Sequence, residues 1–227
     1  MENSGGGSIL FFQDKANVSI GTHSGCFQAD EALGVWLLRR LDQFGGENAK
    51  VVRSRDAAVL DPLFIVIDVG GTYSHEKLRY DHHQRGFFET FDGAPGMADG
   101  PDTSTGAFRT KLSASGLIYK HYGKEIICKL HPSLAASPDK LAWVHEKMYV
   151  EFMEGIDAND NGIEIADETR YRDGTTLPDR VHRLNAPWNA PAGGPSEDER
   201  FQGASALCGS EFSRYRPAIW KPLLHRM

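Results

Sequence analysis

Asp81-His82-His83 puts a carboxylate and two imidazoles on consecutive residues. It follows a separate acid, Asp68, that ends the apolar run Leu63-Phe64-Ile65-Val66-Ile67. Upstream, a strand-like segment ends in Gly21-Thr22-His23, with Asp30 and Glu31 close behind. Downstream, Asp157-Ala158-Asn159-Asp160-Asn161-Gly162 forms a stretch rich in oxygen ligands. Phosphoester hydrolysis near neutral pH needs a nucleophilic hydroxide and neutralised phosphoryl oxygens, and two cations about 3.5–4 Å apart supply both. Hard cations take carboxylate oxygens and imidazoles shift the preference toward transition metals, so a mixed set reads as Mn2+ or Mg2+. His23, Asp30, Asp68, Asp81, His82 and Asp157 make such a set. Each also has an ordinary reading: Asp30 and Glu31 complement a helix dipole, Asp68 caps a turn, and Asp157 or Asp160 forms one. Their joint occurrence argues for a metal site.

Such residues converge only if strand ends open on one crevice, the usual ligand position in an open α/β sheet. The periodicity supports that frame. A strand is expected near 17–22. Leu33, Trp36, Leu37, Leu41 and Phe44 then recur at helical spacing until Gly45-Gly46. Val51-Val52 and the stretch 63–69 read as further strands, the second covered on both faces as in a parallel sheet. Residues 86–108 read as a long loop. Helices are expected over 113–130, from Ser137-Pro138 to near Asp157, and over 197–215. The fold class is α/β with a parallel sheet and helices on both faces. The expected layout is a flexible tail at 1–16, a metal-binding catalytic domain at 17–185, and a linker with a shortened C-terminal domain at 186–227.

The chain has 227 residues and a formal net charge of −6, with a pI near 5.8. That acidity excludes a non-specific basic coat, so nucleic acid must be held locally by metals and a few cations. It favours a small or single-stranded substrate, which could stack on Phe87 or Phe88. Three cysteines (Cys26, Cys128, Cys208) without a Cys-x-x-Cys pair fit a reducing compartment. Cys26 reads as a small packed residue. With no signal, transit or membrane-spanning pattern, an intracellular protein of cytoplasm or nucleus is expected.

Several stretches resemble the melanocyte-proliferating-gene family of exonucleases, within the DHH phosphoesterase superfamily. They are Thr22-His23-Ser24-Gly25-Cys26-Phe27-Gln28-Ala29-Asp30-Glu31-Ala32, Asp68-Val69-Gly70-Gly71, Arg79-Tyr80-Asp81-His82-His83-Gln84-Arg85, Lys111 to Tyr119, Asp157 to Gly162 and Arg183-Leu184-Asn185-Ala186-Pro187-Trp188-Asn189. The resemblance implies a DHH-type domain using two Mn2+ or Mg2+ ions as a 3′-to-5′ exonuclease on RNA or short single strands, in RNA processing. His23, Asp30, Asp68, His82 and Asp157 would be metal ligands, with Asp157 preferred over Asp160. Asp81 would bridge metals or orient its neighbour, and His83 would face the phosphate with Arg85 or Lys111. The resemblance also allows a mitochondrial location. Gln28 stands where the family carries histidine, so one ion should bind more weakly. Family members also extend further, with a C-terminal domain that helps hold substrate. A degenerate, non-catalytic binding protein and a hydrolase of dinucleotide-sized phosphoesters are the alternatives.

Overall fold

The computed structural model describes residues 18–93, 107–190 and 193–215. The expected tail, most of the central part of the 86–108 loop and the last residues lie outside this range. Five strands form one sheet in the order β2-β1-β3-β5-β4. They are β1 (Ser19–Thr22), β2 (Lys50–Arg53), β3 (Ile65–Ile67), β4 (Tyr73–Ser74) and β5 (Arg79–Tyr80). The β1–β2, β1–β3 and β3–β5 pairs are parallel, and β4 runs antiparallel to β5. The α/β class read from the apolar runs is therefore the observed one.

Both faces of the sheet are covered, as the unbroken Ile65-Val66-Ile67 run requires. A Cβ at Gly34 in α1 (Ala29–Leu38) would come within 2.9 Å of Ile67 Cδ1. Gly21 and Val66 point the other way, where Leu60, ending α2 (Ala57–Leu60), and Leu63 pack. The remaining helices are α3 (Ala114–Leu130), α4 (Pro138–Met148), α5 (Glu154–Asp160), α6 (Leu177–His182) and α7 (Glu197–Arg214). Ser113 caps α3 by accepting from Gly116 N–H, and Pro138 occupies the first turn of α4. Ser196 and Glu199 form a capping box on α7. α7 joins the same core as the sheet. Phe201 meets Phe27 edge-on at 5.7 Å, and Phe212 lies 5.8 Å from Trp36. No helix among the described residues is long and apolar enough to cross a membrane.

Four local expectations change. The first helix stops at Leu38 rather than running to Phe44, because Leu41 turns extended and buries its side chain. A 3-10 turn (Asp42–Phe44) then leads to Gly45 at φ 84°. The 63–69 strand is only Ile65–Ile67, since Asp68 turns to φ 58°. The β4–β5 hairpin was not expected; two-residue strands are too short to show a period. Finally, Asp157 does not open a turn. A π turn (Tyr149–Met153) joins α4 to α5, and the helix continues to Asp160.

Two glycines of α7 make a controlled test of its packing. A Cβ on Gly209 would overlap the Trp36 indole, whereas nothing lies near Gly203. Gly209→Ala should cost about 1–3 kcal/mol by overpacking, and Gly203→Ala should stabilise by up to about 1 kcal/mol. Urea unfolding of both variants checks this.

Candidate metal centre

Three neighbouring strands deliver their next residues to one edge of the sheet. β1 leads to His23, β3 to Asp68 and β5 to Asp81, His82 and His83. The first turn of α1 adds Asp30 and Glu31, and the last residue of α5 adds Asp160. His23, Asp30, Glu31, Asp68, Asp81 and His82 are all buried.

Asp68 stands in the middle. Its Oδ2 lies 3.3 Å from His23 Nε2, and its Oδ1 lies 3.3 Å from His82 Nε2. Glu31 Oε1 is 3.0 Å from the His23 nitrogen, and Asp160 Oδ2 is 2.9 Å from the His82 nitrogen. Three donor groups have atoms close enough to share an ion: His23 with Glu31 and Asp68, Asp30 with His82 and Asp160, and Asp68 with His82 and His83.

Several of these buried atoms have no hydrogen-bond partner among the described residues. They are both oxygens of Asp30, Asp68 Oδ1, both ring nitrogens of His82 and Asp160 Oδ2. The His82 contacts thus sit at ion-pair distance without hydrogen-bond alignment. Buried polar groups are rarely left so, because desolvation is costly. Protons are drawn in instead. Burial opposes charging of His23, but Asp68 and Glu31 overrule it and raise its pKa to about 10. Burial likewise opposes His82, and Asp160 and Asp68 raise it to about 9. Burial, then Asp68, Asp160 and Glu31, push the Asp30 carboxyl well above its ordinary value. Asp68 goes down despite burial, because the two imidazoles hold its anion. Metal ions could take the place of these protons, since carboxylates and neutral imidazoles are both metal ligands.

Asp81 faces elsewhere. Its Oδ1 accepts from His83 N–H at 3.1 Å and lies 2.7 Å from His83 Nδ1, while Oδ2 accepts from Gly71 N–H. Burial opposes ionisation there, but the His83 ring and the two backbone donors prevail and lower its pKa to about 2. Asp81 therefore orients His83, whose side chain is 58% exposed. Arg85 is exposed and Lys111 half-buried, and neither side chain bonds a described residue. Gln28 is the exposed N-cap of α1, and its N–H donates to Glu31 at 2.9 Å. Phe87 is core, edge-on to Tyr73, whereas Phe88 is exposed. Cys26 is exposed rather than packed.

The preferred ligand Asp157 lies apart from the three groups. Its Oδ1 accepts from Ser113 N–H at 3.0 Å and Ser113 Oγ at 2.7 Å, and Oδ2 accepts from Tyr149 OH at 3.0 Å. It ties α5 to the start of α3, and the geometry puts Asp160 beside His82 instead. Sequence reading kept Asp160 only as the lesser choice and read Glu31 as a dipole partner. The signal for Glu31 was its place one turn after Gln28, where one carboxylate both caps the helix and reaches His23.

Fold and site together define a mixed α/β protein with a mostly parallel sheet and a buried histidine–carboxylate cluster at its C-terminal edge. The profile of a family described as "Uncharacterised protein family (UPF0160)", labelled MYG1_exonuc, matches residues 19–224. The MYG1 protein of Caenorhabditis elegans is 41% identical over 207 residues, covering 89% of this chain and 57% of that protein. A MYG1 protein of Schizosaccharomyces pombe is 43% identical over 205 residues (87% and 57%). The protein named MYG1 exonuclease in Mus musculus is 41% identical over 198 residues (85% and 48%). The chain belongs to the MYG1 family, and it spans about half the length of these relatives. No solved structure matches it.

The two aspartates of α5 should separate by experiment. Asp157→Ala strands three buried donors and should cost about 3 kcal/mol in denaturant unfolding. Asp160→Ala should leave the metal-free melting temperature unchanged or higher while removing the rise produced by MnCl2.

Burial raises the Asp157 pKa to about 7, against the opposing hydrogen bonds from Ser113 and Tyr149. A raised carboxyl stabilises fully below its unfolded pKa of about 4, and that contribution fades as pH rises through 7. The stability of wild type relative to Asp157→Asn should therefore fall from pH 4 to 8 in parallel urea titrations. A flat difference would contradict the assignment.

Proposed function

We propose that this chain carries the phosphoester-cleaving centre of a metal-dependent nuclease, a 3′-to-5′ exonuclease acting on RNA in RNA processing. The observation that carries the reading is the Asp68 carboxylate set between two imidazoles, with unpartnered oxygens of Asp30 and Asp160 facing the same cluster. Support for the nuclease class comes from relatives named MYG1 exonuclease. Membership of the wider DHH superfamily rests on the Asp81-His82-His83 motif at the end of β5.

Two ions suit the electrostatics. Asp30, Glu31, Asp68 and Asp160 bring four formal negative charges, which two divalent cations balance. His23 and Glu31 would hold one ion, Asp30, His82 and Asp160 the other, and Asp68 would be shared between them. Bound there, such cations activate water and neutralise charge on the phosphoryl oxygens. The chain's own groups do the rest. Ser24 carbonyl at 3.2 Å and the Arg55 guanidinium at 3.1 Å both meet His23 at Nδ1 and orient the ring, with Nε2 turned toward Glu31 and Asp68. Asp81 fixes Nδ1 of His83, so Nε2 is the nitrogen left for the scissile phosphate or leaving oxygen. Arg85, two residues on and exposed, would meet phosphate charge.

Gln28 motivates a second reading, a relative that binds nucleic acid without cutting it. Purified protein with 5′-labelled single-stranded RNA and MnCl2 should give a ladder shortening from the 3′ end, stopped by EDTA. His83→Ala should lower kcat about 100-fold or more. Intact RNA, or internal cuts alone, would remove the exonuclease reading. Gln28→His should raise metal affinity about 10–100-fold if the position approaches an ion, and unchanged affinity would exclude it.

A further inference from the structure

We propose that Trp188 is a stacking platform for a base of the single-stranded substrate close to the scissile end. The inference rests on the nuclease reading above. Trp188 is 98% exposed, while the large aromatics elsewhere in the described fold pack into the core or against it, apart from Tyr171 (77%) and Phe88 (37%). An indole left wholly in water loses the contribution that aromatics make when buried, and nothing among the described residues covers it.

The turn that presents it is built rather than loose. Ala190 N–H donates to Pro187 carbonyl at 3.0 Å, so Trp188 sits at the second position of a tight turn. The base of the turn is fastened to the metal-bearing loop. Asn185 Oδ1 accepts from Phe27 N–H, and its Nδ2 donates to Phe27 carbonyl, both at 2.9 Å. Leu184 carbonyl is also held by Arg200 of α7 at 3.5 Å. Phe27 lies between His23 and Asp30, so this amide clamp ties the turn to the backbone that carries two site residues. Trp188 is three residues from Asn185, a reach of at most about 11 Å. An indole on that tether is fixed near the clamped loop and free on its faces.

Base stacking on such a ring tolerates any sequence and suits an exonuclease that must accept each successive end. It also supplies affinity without a basic surface, consistent with a formal net charge of −6. Of the two phenylalanines beside the Asp81-His82-His83 motif, Phe87 is sealed in the core and Phe88 is 37% exposed, against 98% for Trp188.

The experiment compares wild type, Trp188→Phe and Trp188→Ala on an RNA hexamer and on the same hexamer with abasic 3′ positions. Trp188→Ala should raise KM for the intact hexamer about 5- to 100-fold, the range one stacked base supplies, with kcat within about twofold. Trp188→Phe should stay near wild type, and the abasic hexamer should show no difference among the three. Without metal, the intact hexamer should quench tryptophan fluorescence of wild type but not of Trp188→Phe. Cleavage by wild type with unchanged KM in Trp188→Ala would overturn the stacking role and leave the nuclease reading standing. Quenching without cleavage would support the platform and remove the hydrolase. Neither cleavage nor quenching would remove both.

Discussion

The carboxylate of Asp68 is the constraint around which the site is arranged. It sits at the end of the central strand β3, with one oxygen toward His23 and the other toward His82. Reaching that place requires φ of 58°, a left-handed conformation that costs a non-glycine residue of order 1–3 kcal/mol. Aspartate tolerates this better than most residues, and its N–H remains tied to Tyr80 carbonyl at 2.9 Å. The parallel pairing of β1, β3 and β5 then sets the imidazoles on either side. A charged group so deeply buried is stable only if opposite charge surrounds it, as protons on the histidines or as metal.

Around this centre the acids divide by what they touch. Asp81 and Asp157 are satisfied by donors of the chain, and each fixes a neighbouring piece: Asp81 orients His83, and Asp157 binds α5 to α3. Both oxygens of Asp30 and Oδ2 of Asp160 find no hydrogen-bond partner among the described residues, although they lie in the same small volume. The π turn at Tyr149–Met153 contributes to this division, since it sets the rotation of α5 and also places the Tyr149 hydroxyl on Asp157. Gly116 is part of the same arrangement, because any Cβ there would overlap the Asp157 carboxylate.

The C-terminal part of the described chain is tied to the loop that carries His23 rather than merely following it. Arg53, with its side chain 2% exposed, pairs with Glu197 at 2.6 Å and donates to Gly25 carbonyl. Its guanidinium also lies 4.6 Å from the Phe201 ring. Glu197 in turn accepts from Gly25 N–H at 2.7 Å, and Asn185 holds Phe27. The loop from His23 to Gln28 is thus pinned from two sides, which limits its freedom to drift from Asp68.

Much of this was legible in residue order. Apolar runs marked β1, β2 and β3, and His23 and Asp68 just past β1 and β3 marked the edge where the candidate site lies, because those runs must be buried and their ends must open on a crevice. The start of α4 followed from Pro138 in its first turn, although Ser137 makes no side-chain cap hydrogen bond there. Residue order did not separate Asp157 from Asp160, nor show that Glu31 reaches His23, nor put Trp188 on an anchored turn. Those outcomes depend on the rotation of helices and on contacts between distant segments, whose energies no local pattern carries. Tertiary packing decided which buried carboxylates received a partner and which were left facing one another.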